Sequence, residues 1–244
     1  MCDNICITKS NKKIVIQGEY DMIKQDSEKT GTCKICGAIT RVIDDKQIRV
    51  TYSVCDECGF IYKNEKHHLN HHLEYKEYLN HNNSFESKGY VLMFENLIDN
   101  FIKPLNISGK ALDYGSGPGP VLKELLIRTG YDTYDYDPFF NPNKEYLDNK
   151  YSLITVTEVV EHFVNPWVEF NHLKSLLDES GYLVLMTQLN APSVDEFLKS
   201  WYRREKSHVS FYALKTIQYI ADKLDLVIVK HNSKNIIVLK NRKV

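Results

Sequence analysis

The chain has no apolar run approaching the roughly 18 residues needed to cross a bilayer. Its start, Met1-Cys2-Asp3-Asn4, lacks the basic region followed by an apolar stretch that marks a secretory signal. These two absences predict no membrane partner and a cytoplasmic location. A surplus of charge is missing as well. The formal net charge is −1, so no global field draws the molecule to nucleic acid or to an anionic surface, and only a local patch could do so. What remains, 43% hydrophobic and 26% charged residues over 244 positions, is the composition of a globular protein with room for one full α/β domain and a small appendage.

Cysteine is scarce but patterned. Four of the six form Cys33-x2-Cys36 and Cys55-x2-Cys58, with 18 residues between the pairs. Two short thiolate hooks on a hairpin-length spacer supply four soft ligands in tetrahedral array, which predicts a structural Zn2+ held by Cys33, Cys36, Cys55 and Cys58. Gly37 and Gly59 follow the hooks directly, where a knuckle turn needs positive φ. Cys2 and Cys6 have no comparable pattern.

Four segments follow from the rest of the pattern. Residues 1–30 are polar with one strand-like run at Lys13–Gln17 and stay unassigned. Residues 31–66 form the four-cysteine zinc module, with strands expected at Gln47–Ser53 and Phe60–Tyr62 and metal supplying most of the folding energy. Its 6 Lys/Arg against 5 Asp/Glu do not suit a phosphate grip. Residues 67–104 are a helical linker or cap. It opens on His67-His68-Leu69-Asn70-His71-His72, where i,i+4 histidine pairs on a helix could hold a metal, although a solvated helix start is the simpler reading. Its apolar period runs through Tyr90, Phe94, Leu97, Ile98 and Phe101 and ends before Pro104. From 105 to 244 strands and helices alternate. Strands are expected at Lys110–Tyr114, Asp132–Tyr136, Leu153–Thr157 and Tyr182–Thr187, helices at Val121–Arg128, Trp167–Leu177 and Phe211–Leu224. Leu226–Val229 and Ile236–Leu239 form a closing antiparallel pair. The fold class is α/β, with a mostly parallel sheet, helices on both faces and an antiparallel last strand.

Between the first of these strands and helices lies Ala111-Leu-Asp-Tyr-Gly-Ser-Gly-Pro-Gly119. Glycine at alternate positions lets backbone N–H groups approach a ligand closely. The acid two residues ahead of Gly115, Asp113, would repel a pyrophosphate but can accept from an ammonium group, which points to a nucleoside carrying an amino acid.

Four blocks, Leu112–Gly119, Tyr134–Pro138, Tyr151–His162 and Ser180–Leu185, resemble the class I S-adenosylmethionine (SAM)-dependent methyltransferases over residues 85–244, which implies a Rossmann-like sheet. The small N-terminal module, zinc-ribbon-like, resembles those of several bacterial methyltransferases, some acting on nucleotide-linked sugars and others on ribosomal RNA. The resemblance implies SAM contacts from Asp113, Tyr114, Gly115, Ser116, Gly117 and Gly119 for the methionine end. Asp137, with Asp135 as the off-by-two competitor, would hold the ribose hydroxyls, beside Pro138, Phe139, Thr157 and Glu158. Two departures stand out. Only 13 residues separate Asp137 from Tyr151, leaving little room for the usual third strand, so Phe139 and Phe140 could flank the adenine instead. Ser152 sits where the family usually has Asp.

Methyl transfer from a sulfonium needs positioning and removal of the acceptor's proton. Glu158-Val-Val-Glu161-His162 lies just after the strand expected at Leu153–Thr157. The block resembles ubiquinone-pathway O-methyltransferases and the small-RNA 2′-O-methyltransferases. In the latter, two Glu, the adjacent His and a later His hold a divalent ion. Here the later candidate is His208. Three readings stay open: a Mg2+ or Mn2+ at Glu158, Glu161, His162 and His208; His162 or His208 as a general base; and no base, with a reactive carbon or nitrogen acceptor. Lys199 and Trp201–Lys206 could grip a phosphate or form a solvated basic face. Tyr78, His81 and Tyr90 could line the pocket from the linker side. The expected function is methylation of a small or carrier-linked polar acceptor, phosphorylated ones included. The competitors are an RNA methyltransferase gripping RNA with the zinc module and a non-catalytic SAM-scaffold binding protein.

Overall fold

The computed structural model describes residues 31–80, 83–190 and 193–242. The expectations at Lys13–Gln17, Cys2, Cys6 and His81 lie outside them.

A six-stranded sheet forms the centre. Its strands are β5 (Lys110–Tyr114), β6 (Asp132–Tyr136), β7 (Tyr151–Thr157), β8 (Leu177–Met186), β10 (Leu226–His231) and β11 (Ile236–Asn241), in the order β10-β11-β8-β7-β5-β6. The pairs β6–β5, β5–β7 and β7–β8 are parallel, and the last strand, β11, runs antiparallel to both neighbours. Asp137 makes one isolated bridge to Asn141, and a short turn at Glu145–Asp148 precedes β7, so β6 is left as the edge.

Successive side chains on a strand point to opposite faces, and the sequence exploits this throughout. Ala111, Leu153, Val184 and Val238 pack beneath α2 (Lys88–Leu97) and α3 (Val121–Arg128). Leu112, Ile154, Leu183, Leu185, Ile237 and Leu239 face α4 (Pro166–Leu176) and α6 (Leu214–Lys223). Cys33, Cys55, Cys58 and Phe60 belong to this second cluster, so the cysteine module shares the core of the large sheet.

That module is a second, antiparallel sheet, β1 (Gly31–Thr32), β2 (Ile39–Asp45), β3 (Val50–Val54) and β4 (Ile61–Lys63). The expected strand at Gln47–Ser53 begins three residues later, and β2 carried no sequence expectation. The fifth strand is β9 (Ser210–Phe211), which pairs with β4. Phe211 was expected to open a helix. It is extended instead, because Ile61↔Phe211 pairing and burial against Tyr52 and against Phe197 of α5 (Val194–Phe197) decide a conformation that local periodicity cannot.

The histidine run does not form one helix. Glu65–His67 is a single turn, His68 is extended, and α1 (His71–Tyr78) starts after the cap Asn70, whose side chain accepts from the Leu73 N–H. The i,i+4 pairs therefore do not line up. His71 and Tyr75 instead lie against Phe139.

Candidate functional site

Both cysteine hooks fold alike. The N–H of Gly37 donates to the Cys33 carbonyl and that of Gly59 to the Cys55 carbonyl, and both glycines have φ of +75°. The four Sγ atoms lie within 4.8 Å of one another, with Cys33–Cys58 at 3.6 Å and Cys36–Cys55 at 3.4 Å, and no disulfide joins them. Around a zinc with Zn–S bonds of about 2.3 Å the sulfur–sulfur edge is about 3.8 Å, so the four thiols fit that ion.

At the C-terminal edge of the parallel strands a cavity of about 730 Å³ opens, within the range of small-molecule sites. Of the residues the sequence assigned to a cofactor, Tyr114, Gly115, Gly117, Asp137, Pro138, Phe139, Thr157 and Glu158 line it, with Phe140, Tyr78 and Tyr90. His162 and His208 line it too. Asp113, Ser116, Gly119, Asp135 and Glu161 do not; they form the shell behind it.

That shell explains the loop. The N–H groups of Gly115 and Ser116 donate to the Tyr136 carbonyl at 2.7 and 3.2 Å, and that of Gly117 to Asp137 Oδ2 at 3.0 Å. Three loop donors are thus used within the chain rather than aimed at a ligand. The need for glycine is also internal: a Cβ on Gly119 would strike the Asn83 carbonyl, and one on Gly115 the Val159 side chain. Asn83 gave no signal in the sequence. Asp135 pairs with Lys123 at 2.5 Å and accepts from Ser116 and Asn141, which fixes it away from the cavity. Asp137 is the acid that faces it. Its Oδ1 accepts from the N–H groups of Phe139 and Phe140, so this carboxylate is held from three directions.

Asp113 is fully buried and takes the Thr155 hydroxyl at 3.2 Å. Burial is the main reason its carboxyl is pushed up to about 7, with Asp135 adding to the effect. A carboxyl whose folded pKa lies above its unfolded value, near 3.9, contributes stability below that value that is lost as pH rises through 7. Asp113→Asn, which keeps an acceptor, should therefore flatten stability between pH 5 and 8 by on the order of 3 kcal/mol, read by urea unfolding at both pH values. An unchanged pH slope in the variant would refute this.

The Glu158–His162 block sits where β7 ends. Glu158 has φ of +54°, and its N–H donates to the Met186 carbonyl. Glu161 is fully buried. Its Oε1 accepts from the Tyr202 hydroxyl at 2.5 Å, and its Oε2 has no hydrogen-bond partner among the described residues. Burial, then the charge of Glu158, pushes its carboxyl up to about 8. Nδ1 of His162 lies 3.2 Å from the Ser207 carbonyl, and Nδ1 of His208 lies 2.9 Å from the Tyr202 carbonyl. A carbonyl only accepts, so each Nδ1 carries the proton and each Nε2 keeps its lone pair in the neutral ring. Glu161, His162 and His208 offer ligand atoms within 4.8 Å of one another, whereas Glu158 stands outside this trio.

The cations of the basic segment do not point into the cavity together. Arg203 is buried, donating to Asp45 Oδ2, Gln47 Oε1 and the Ser200 carbonyl, each at 2.6 Å. Lys206 pairs with Glu77, and Lys199 and Arg204 are exposed. Among the described residues lining the cavity there is no Lys or Arg, against the carboxylates of Glu74, Asp137, Glu158, Glu169 and Glu205.

Residues 78–231 match a family described as a methyltransferase domain. No curated protein matches. The chain is similar to many solved structures, three of which follow. A magnesium protoporphyrin IX methyltransferase from Synechocystis PCC 6803 with bound SAH is 13% identical, with 70% of this chain and 94% of that one covered and a TM-score of 0.49. A SAM-dependent methyltransferase from Archaeoglobus fulgidus is 15% identical, covering 70% and 100%, at 0.47. An O-methyltransferase family protein from Burkholderia thailandensis is 11% identical, covering 68% and 62%, at 0.48.

Proposed function

The chain belongs to the SAM-dependent methyltransferase family, and from that premise we propose that it methylates a small or carrier-linked polar acceptor whose proton is taken by His208 or His162. The observation that carries this reading is the meeting of both imidazoles with Asp137 and the glycine loop in one cavity. Asp137 would accept from the two ribose hydroxyls while its present bonds keep it rigid, and Phe139 and Phe140 would flank the adenine in place of a third-strand acid. With each Nδ1 proton committed to a backbone carbonyl, the Nε2 lone pairs suit proton removal as the acceptor attacks the methyl carbon in line with the departing sulfur.

The lining's carboxylates suit the cationic cofactor and an acceptor that is neutral or cationic at its reacting end. A phosphorylated acceptor turned over as fast as its neutral analogue would overturn that part. In a second reading the same Nε2 lone pairs would instead hold a Mg2+ or Mn2+ with Glu161, whose buried Oε2 has no other partner among the described residues. Such an ion would lower the pKa of an acceptor hydroxyl. A hydroxyl of RNA would suit the same trio, and strongly salt-dependent RNA affinity would favour that acceptor. The four cysteines would hold a structural Zn2+.

Calorimetric titration of SAM tests the cofactor assignment. The parent should bind at micromolar concentration or tighter. Asp137→Asn, which removes a charge and one acceptor, should bind about 10- to 100-fold more weakly, given about 1.5–3 kcal/mol for a hydrogen bond to a charged group. Equal affinity in the two proteins would remove Asp137 from the site.

A further inference from the structure

Residues 202–209 form one wall of the cavity, and their carbonyls are divided between two sets of donors. Those of Tyr202 and Ser207 are taken by the imidazoles of His208 and His162. The carbonyl of Arg203 accepts from the Tyr52 hydroxyl at 3.1 Å. Those of Glu205 and Lys206 accept from Nζ of Lys63 at 3.3 and 2.8 Å, and that of Val209 from the Lys63 N–H at 2.8 Å. Tyr52 and Lys63 are buried residues of the cysteine module, as is Asp45, the partner of Arg203. One short segment is therefore held on its outer side by the module and on its inner side by the two histidines. The hook Cys55–Cys58 joins β3, which carries Tyr52, to β4, which ends in Lys63.

We propose that the cysteine module is a brace for this wall, with Lys63 and Arg203 as positioning residues that keep both imidazoles in the Nδ1–H tautomer. The proposal rests on the reading of His162 and His208 as proton-handling groups. It gives the module a task inside the molecule: a metal at the cysteines would fix the β3–β4 hairpin, the hairpin fixes residues 202–209, and these fix the two rings. The glycine loop and Asp137 take no hydrogen bond from the module among those described, so the cofactor half is built independently of it.

The test uses the full chain. Lys63→Met keeps the buried stem and removes the ammonium. A second variant, Asp45→Leu with Arg203→Met, replaces both charges together, because removing one partner of a buried pair leaves the other uncompensated and unfolds proteins. Histidine nitrogens are read by 15N NMR, with His162→Gln and His208→Gln for assignment, and SAH affinity by calorimetry. In the parent both rings should be Nδ1–H. In each brace variant His208 should populate the Nε2–H form, amide exchange over residues 202–209 should rise about tenfold or more, and SAH affinity should stay within about threefold. Unchanged tautomers and exchange in both variants would overturn the proposal. So would an SAH affinity that falls with them, since the module would then support the whole cavity. Failure of the parent to bind SAH would remove the cofactor reading and leave the tautomer comparison standing.

Discussion

Cys58→Ala protein should contain no stoichiometric zinc and should lose its cooperative melting transition or have it lowered by more than about 10 °C. The size follows from position. Cys58 is buried beside Cys33 and Phe60 in the cluster that includes Leu183 and Ile237, so a broken site exposes core belonging to the large sheet as well. Structural zinc contributes about 10–16 kcal/mol in small zinc-binding peptides, more than the whole stability of most domains. The Cys58 carbonyl also accepts from the Thr216 hydroxyl at 2.7 Å, at the start of α6, so disorder in the hook reaches that helix. Metal analysis with scanning calorimetry, on the variant and on chelator-treated parent, decides the matter. A zinc-free parent that melts unchanged would show that the cysteines need no ion.

His208→Ala should lower kcat by about 10²- to 10⁴-fold, the usual contribution of a positioned general base, while leaving SAM affinity unchanged. The imidazole packs against Tyr202 at 4.2 Å and against His162 at 4.9 Å between ring centroids, so the hole left is local to the wall. Methyl transfer from labelled SAM gives the rate, and its pH profile separates the roles. A parent profile rising through a single ionisation near that of histidine, and lost in the variant, assigns the base. If turnover in His208→Ala equals that of the parent and His162→Ala alone is slow, the proton goes to His162; if neither is slow, no histidine is the base.

The elements around the glycine loop were legible because local pattern and final environment agree. Lys110–Tyr114, Val121–Arg128 and Asp132–Tyr136 occupy the spans expected of them, most apolar residues of the first two buried and Tyr134 and Tyr136 of the third partly so. The antiparallel last strand followed from a connection too short for a crossover. What escaped the sequence depends on partners far along the chain. The strand at Ser210–Phe211 exists through β4, and Arg203 looked like an exposed cation because its partner Asp45 lies 158 positions away. Asp113 reads as a ligand contact by its spacing from the glycines, yet Thr155, on the neighbouring strand, takes it behind the cavity. Both acids of the short block meet the Tyr202 hydroxyl, and only the whole fold sets Glu161 beside the histidine pair and leaves Glu158 outside it.

The pairing of Ile61 with Phe211 has a consequence for synthesis on the ribosome. At about 5–20 residues per second the module's hairpin emerges roughly 8–30 s before its fifth strand. During that interval the ammonium of Lys63 lacks the carbonyls of Glu205 and Lys206, and the carboxylate of Asp45, held by the Gln47 N–H, lacks the guanidinium of Arg203. The nascent hairpin thus presents an unpaired edge in β4 together with two unneutralised charges, a combination that resists pairing with other chains. Protection against premature association would in this way come from the same groups that later close the wall.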